Sequence, residues 1–165
     1  MEFRILGPLE VVEDGRPIAL GGPKQRALLA LLLLTPNRPV SVGRLVEALW
    51  SGEPPTTAAN ALQQHVSQLR KTLGDGAAIV TQEPGYLIQL RADQLDLLRF
   101  ERLVMEAEDA DVERAGRLLG DALDLWRGEP LIDLSDDVLS QAELQRLAAA
   151  RLAALERRKI GRAHV

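Results

Sequence analysis

Cysteine is absent from this 165-residue chain, which excludes a disulfide framework and a thiolate metal site and fits a cytoplasmic setting. Aromatic residues are nearly missing too, at 3%, so any core has to be built from Leu, Val, Ile and Ala, a composition that favours helices. No long hydrophobic run exists. The longest, Ala27 to Leu34, has eight residues, far short of the ~20 that a membrane helix needs, and it lies too deep in the chain, behind strand-like sequence, for a secretory signal. Histidine occurs only as His65 and His164. There is no phosphate-binding loop, no dinucleotide-binding glycine fingerprint, no Gly-x-Ser-x-Gly and no HExxH, and the acidic pair Asp136-Asp137 alone makes no metal site. The sequence therefore argues against an enzyme and gives no reason to expect a cofactor.

What is present is an ordinary globular mixture, 46% hydrophobic and 27% charged, long enough for one or two small domains. The formal charge of −4 speaks against a nucleic-acid partner when taken whole, but it is unevenly spread. Residues 1–91 hold nine Lys/Arg and eight Asp/Glu, whereas residues 92–165 hold eleven and sixteen. The acidity belongs to the second part, and DNA binding by the first would rest on where its cations stand, not on bulk charge.

The most informative stretch is Thr56 to Leu73. On a helix at ~100° per residue, Leu62, Val66, Leu69 and Leu73 form one stripe that must be buried. Opposite stand Asn60, Gln64, Ser67 and Lys71, bordered by Gln63, Gln68 and Arg70, with no carboxylate between Thr56 and Leu73. A merely solvated face is normally laced with Glu and Lys pairs. Amides and hydroxyls suit base edges in a major groove, and Arg and Lys suit phosphates, so the stretch reads as a recognition helix, with a solvated polar face as the alternative. His65, at its core border, reads as a structural residue or a phosphate contact before it reads as a base.

The flanking sequence supplies a setting. Phe3 to Leu6, Leu9 to Val12 and Pro17 to Leu20 predict a small N-terminal antiparallel sheet of about three strands, with Asp14-Gly15 as a hairpin turn. Pro23 suits the first turn of a helix running to Leu34, apolar nearly all round and so central in the core. Val40 to Val42 predicts a short strand, and Gly43 to Trp50 a second helix with Leu45, Val46, Leu49 and Trp50 on one stripe. After the Ser51 to Pro55 loop, Thr56 or Thr57 is the expected N-cap of the recognition helix, and Gly74 its stop. Ile79 to Thr81 and Tyr86 to Leu90 predict a hairpin around Pro84-Gly85. Three helices followed by a hairpin is the order of a winged helix-turn-helix, the hairpin being the wing; a hairpin that merely covers the core edge is the alternative.

The ordered blocks GGPKQRALLALLLL, SVGRLVEALWSGEPPTTAANALQQHVSQLRKTLG and IVTQEPGYLIQL resemble the DNA-binding domain of the SARP family, actinomycete antibiotic regulatory proteins with an OmpR-type winged helix. The resemblance covers residues 2–91. It implies a third helix in the major groove, a wing at the adjacent minor groove and a loop facing RNA polymerase. By that resemblance Asn60, Gln64, Ser67 and Gln68 are candidate groove residues and Arg70 and Lys71 candidate phosphate contacts. Gly85 and Tyr86 mark the wing, Tyr86 being the more expected in the core, and Gly52, Glu53, Pro54 and Pro55 form the polymerase-contacting loop. The wing departs from the family pattern, with Glu83 and Pro84 where many OmpR-type wings carry an arginine.

The second part is helical in pattern. Leu97 to Ala107 and Val112 to Trp126 carry apolar faces, with Asp111 as N-cap and Gly128 as stop, and Ser140-Gln141-Ala142-Glu143 is a capping box before Leu144, Leu147, Leu152 and Leu155. The blocks DLLRFERLV, LLGDALDLWRGEPLIDL and AELQRLAAARLAALERR resemble the bacterial transcriptional activation domain that follows the winged helix in SARP regulators, a set of stacked TPR-like hairpins. Arg127, beside a buried Trp126, is expected to stabilise a turn or touch a partner. Ile160 to Val165 breaks the leucine pattern and is what ATC GGA AGA GCA CAC GTC encodes, one frame of a widely used short-read sequencing adapter, so residues 160–165 are expected to be an artefact, with the natural chain continuing beyond Lys159. His164 is then no ligand.

The expectation is an α+β winged-helix domain at 1–91 followed by a partial all-α, TPR-like activation domain at 92–159. The resemblance implies a DNA-binding activator of a biosynthetic gene cluster, a dimer on tandem direct repeats of double-stranded DNA, contacting RNA polymerase or its sigma subunit. The competing reading is a helical-repeat interaction scaffold whose winged helix binds no DNA.

Overall fold

A computed structural model describes residues 1–163. Strands β1 (Glu2–Arg4), β2 (Glu10–Glu13) and β3 (Arg16–Pro17) form an antiparallel sheet in that order. Asp14 and Gly15 both have positive φ, 51° and 76°, the geometry of a two-residue hairpin turn whose twist matches its strands. The strands are shorter than the apolar runs predicted. Ile5, Leu6 and Leu9 leave the ladder and are buried, because their backbone groups find partners in the C-terminal part of the chain.

Helix α1 (Pro23–Leu34) starts on Pro23 and buries every residue from Ala27 to Leu34, as its continuous apolar run requires. Strand β4 (Val40–Ser41) leads into α2 (Val42–Leu49), where the Ser41 hydroxyl accepts from the Arg44 N–H at 3.1 Å. Helix α3 (Ala58–Leu73) buries the expected stripe, Leu62, Val66, Leu69 and Leu73, together with Ala58. Thr57 sits at its N-cap, but its side chain makes no capping bond. A 3-10 turn (Gly74–Gly76) then leads to the hairpin of β5 (Ala78–Gln82) and β6 (Gly85–Gln89), which joins β4 in a second sheet of order β4-β6-β5.

Helices α4 (Asp96–Glu108), α5 (Val112–Asp124) and α6 (Gln141–Ala163) follow. Asp111 caps α5, its carboxylate accepting from Arg114 N–H at 2.8 Å. At α6 only half of the capping box forms. Ser140 Oγ accepts from Glu143 N–H at 3.2 Å, while the Glu143 carboxylate pairs with Arg44 on α2. Of the leucines expected behind it, Leu147 is buried and Leu144 and Leu155 are half-buried, but Leu152 is 56% exposed. The packing face runs through Leu147 and Ala154, two helical turns apart, and Leu152 falls well round from it. Helix α6 continues through Ile160 to Ala163; His164 and Val165 lie outside the described residues.

One core spans the chain. Where the sequence suggests a boundary after Arg91, the two parts interlock through the β1–β2 connection. Phe3 bridges to Leu95 and donates its N–H to Gln94 O at 2.6 Å, Arg127 N–H reaches Leu6 O at 2.7 Å, and Leu131 N–H reaches Gly7 O at 2.7 Å. Phe100 and Trp126 meet edge to face, centroids 5.4 Å apart. Arg26 pairs with Asp133 across the same seam. Arg127, expected at a turn or a partner surface, donates to Pro8 O at 2.6 Å and lies 3.4 Å from Glu10, so it ties its turn to the first sheet.

Candidate nucleic-acid interface

Helix α3 lies across the domain with its leucine stripe on the core. Asn60, Gln63, Gln64, Ser67, Gln68 and Lys71 are all exposed on its outer side. No acidic side chain interrupts them, and among the described residues Lys71 has no carboxylate within ion-pair distance. The helix can therefore present amide and hydroxyl groups along one line, with a free ammonium one turn beyond Ser67. Its first turn carries no acid and no side-chain cap, leaving N–H groups and the positive dipole end open to an anion.

The two borders of this face differ. On one, His65 donates from Nδ1 to Gln25 Oε1 at 3.0 Å and packs 6.3 Å from the Trp50 ring, itself covered by Lys24 at 5.3 Å. Burial first, and the Lys24 charge second, lower the imidazole pKa below its ordinary value; the ring is half-buried and its role is packing at the α1–α3 junction. On the other border Arg70 turns from the outer face to the wing. Its Nε–H donates to Ile79 O at 2.9 Å, one Nη donates to Thr81 Oγ1 at 3.1 Å, and the guanidinium lies 6.0 Å from the Tyr86 ring centroid. Arg70 and Lys71, read alike from sequence, are thus placed in different surroundings.

The wing needs a correction as well. Gly85 and Tyr86 are buried beside the turn, where Gly85 lies between Gln82 and Ser41 and Tyr86 between Thr81 and Val40. A β-carbon at Gly85 would overlap the Val40 carbonyl. Close backbone approach, not contact with a ligand, explains that glycine. The exposed tip is Gln82, Glu83 and Pro84, and it carries no cation. The loop from Ser51 to Thr57 is exposed throughout; Ser51 and Gly52 take positive φ, 51° and 82°, and Gly52 N–H is held by Glu47 O at 2.9 Å. Gly52, Glu53, Pro54 and Pro55 therefore project beside α2, away from the core.

Sequence reasoning missed Asp96, which is 5% exposed. Its carboxylate accepts from the N–H groups of Ile5 and Leu6 at 2.9 Å each, and of Leu97 at 2.9 Å. Burial pushes its pKa up, while those N–H groups and the Arg127 charge pull it back. Locally it is an acid in a first helical turn, and nothing in the neighbouring sequence points to the β1–β2 connection 90 residues away.

Among the described residues no group of His, Asp and Glu is arranged to hold a metal ion, and no helix is long and apolar enough to cross a membrane. The chain matches the family described as transcriptional regulatory protein, C terminal, over residues 15–88, and the bacterial transcriptional activator domain over residues 95–163. The chain belongs to the SARP-type regulators. It is 41% identical to the regulatory protein AfsR of Streptomyces coelicolor, over 96% of this chain and 16% of that protein. It is 42% identical to the transcriptional regulatory protein EmbR of Mycobacterium tuberculosis, over 82% of this chain and 37% of that one. To the regulatory protein DnrI of Streptomyces peucetius it is 32% identical, over 96% of this chain and 63% of that protein. A solved structure of M. tuberculosis EmbR in complex with a low-affinity phosphopeptide superposes with a TM-score of 0.81 at 38% identity, covering 93% of this chain and 43% of that one. The SARP-type chain thus spans well under half the length of AfsR and EmbR. Its winged-helix match begins inside the β2–β3 turn and ends at Ile88 in β6, and its activator-domain match begins at Leu95, the residue that bridges to Phe3.

Proposed function

We propose that this SARP-type regulator activates transcription of a biosynthetic gene cluster by binding tandem direct repeats of double-stranded DNA, two copies side by side. In this reading residues 1–91 bind DNA and residues 92–159 carry activation. Helix α3 enters the major groove, where Asn60, Gln64, Ser67 and Gln68 read base edges and Lys71 fixes register on a phosphate. The loop Gly52 to Pro55 and the helical part engage RNA polymerase or its sigma subunit. The observation that carries the reading is the carboxylate-free polar face of α3, exposed along its length over a fully buried leucine stripe. Net charge contributes little, so affinity rests on those placed groups, and the salt slope should be modest, about −0.9 for each phosphate contact.

The test is to titrate the whole chain against random-sequence duplexes at two salt concentrations, select the bound fraction and sequence it. The whole chain is used because the β1–β2 connection packs into the helical part. Direct repeats spaced by about one helical turn, ~10–10.5 bp, are the expected enrichment. A folded chain that enriches nothing, even at low salt, leaves the scaffold reading in its place.

A further inference from the structure

We infer that Arg70 is a positioning residue which locks the wing onto the recognition helix, so that groove contact and wing contact are set at a fixed spacing before DNA arrives. The inference rests on the DNA-reading proposal above and assigns Arg70 a task distinct from that of Lys71.

The geometry is specific to a guanidinium. Strand β5 is the outer strand of its sheet, so the carbonyls on its outer side meet no neighbouring strand. Arg70 Nε–H takes the carbonyl of Ile79, and Nη2 takes the Thr81 hydroxyl two residues further along the same strand. The ring of Tyr86, from the paired strand β6 and directly opposite Thr81, closes the site as a cation–π partner. One side chain of α3 thereby grips both strands of the wing. An ammonium is a point donor and cannot span these acceptors while lying over the ring.

The wing has a reason to be held by contacts within the protein. Its tip carries Glu83 and no cation, so phosphate attraction does not draw it into place, and Glu83 is repelled by the backbone it approaches. Strand β6 is already held by β4 and by the core, but the outer strand β5 has the Arg70 hydrogen bonds as its polar tie to α3. A β5 left loose against α3 would have to be ordered on binding, at a cost in affinity.

The experiment uses the full chain as wild type, Arg70→Gln, Arg70→Lys and Thr81→Val, with amide hydrogen exchange on the free protein and hydroxyl-radical footprints on an enriched duplex across a salt series. Arg70→Gln and Arg70→Lys are both expected to speed exchange in Ala78–Gln82 by ~10-fold or more while α1 and α4 are unchanged. Both should bind DNA ~10-fold more weakly, with an unchanged salt slope, and lose protection on the wing flank only. Thr81→Val should give a weaker version of the same pattern. If Arg70→Lys behaves as wild type, or if Arg70→Gln flattens the slope by ~0.9 as loss of a phosphate contact does, the inference is overturned. A wild-type footprint with an unaltered wing flank in Arg70→Gln removes this inference alone, whereas a wild-type chain that protects no duplex removes the DNA-reading proposal with it.

Discussion

The guanidinium of Arg127 donates to the carbonyl oxygen of Pro8 at 2.6 Å, joining the turn after α5 to the β1–β2 connection across 119 residues of chain. The same side chain lies 3.4 Å from Glu10 and is only 26% exposed, and it packs over Gly7 so closely that a β-carbon there would come within 3.0 Å of Arg127 Cβ. Arg127→Ala should cost about 1.5–3 kcal/mol, the usual range for a hydrogen bond to a charged group. Because the contact bridges the two parts of the chain, urea unfolding should stay a single transition with a lower midpoint. Two separated transitions in the wild type would instead mean that the parts fold independently.

Asp96 supports the same joint from the other side. Its carboxylate accepts from Ile5, Leu6 and Leu97, which an asparagine cannot copy, having one acceptor oxygen and an NH2 that faces donors. Asp96→Asn is expected to destabilise the chain by about 2–4 kcal/mol, more than loss of one exposed charge, because buried N–H groups are left unpaired. A melting curve that matches wild type would show that the carboxylate is dispensable to the joint.

The α3 stripe, the buried run Ala27 to Leu34 of α1 and the Asp14-Gly15 turn were legible because each rests on short-range pattern: periodicity, run length and the φ that a turn demands. So was the carboxylate-free outer face. What local sequence could not show is where polar side chains go once distant elements meet. Arg70 and Lys71 are adjacent cations in the sequence, yet only Arg70 has β5 within reach. Gly85 reads as an open turn residue until Val40 is seen lying against it. Glu143 completes a capping box by spacing, but its carboxylate goes to Arg44, because a cation on α2 competes for it.

Gly85 should be intolerant of any side chain. Gly85→Ala places a β-carbon against backbone of β4, which cannot move aside as a flexible side chain can, and overpacking of this kind costs upward of ~3 kcal/mol. Gly52 is the control. It has positive φ, 82°, but open space around its missing β-carbon, so Gly52→Ala should cost only about 1 kcal/mol. Equal melting temperatures for the two variants would remove the packing explanation.

His65 predicts a shallow acid limb. Its folded-state pKa is depressed below the ordinary 6.5 by burial and by Lys24, so on lowering the pH the unfolded chain takes up this proton first. Its contribution is therefore fully present above about pH 6.5 and is lost as the pH falls through the folded value. The bond to Gln25 survives protonation, since Nδ1 remains a donor; what is lost comes from desolvation and repulsion. His65→Gln, which can still donate to Gln25, should flatten the stability profile between neutral and mildly acidic pH. An unchanged profile would place the titrating group elsewhere.

The outer face of α3 divides into reading and anchoring, and the two can be separated by salt. Gln64 is exposed at the middle of the face, and an amide that pairs bidentately with adenine discriminates by ~1–3 kcal/mol against other bases. Gln64→Ala is accordingly expected to relax base preference at one position of the enriched site while leaving the salt dependence as it was. Lys71, exposed and without a carboxylate partner among the described residues, offers a charge and no pattern of donors and acceptors. Lys71→Ala should weaken binding to all sequences alike and reduce the slope of log K against log salt by ~0.9, one released counterion. Measuring both variants on the enriched duplex and on a scrambled one, at four salt concentrations, distinguishes the two effects. Equal, salt-independent losses on both duplexes would mean that these residues do not divide reading from anchoring, and that the face contributes to DNA binding, if at all, only through its shape.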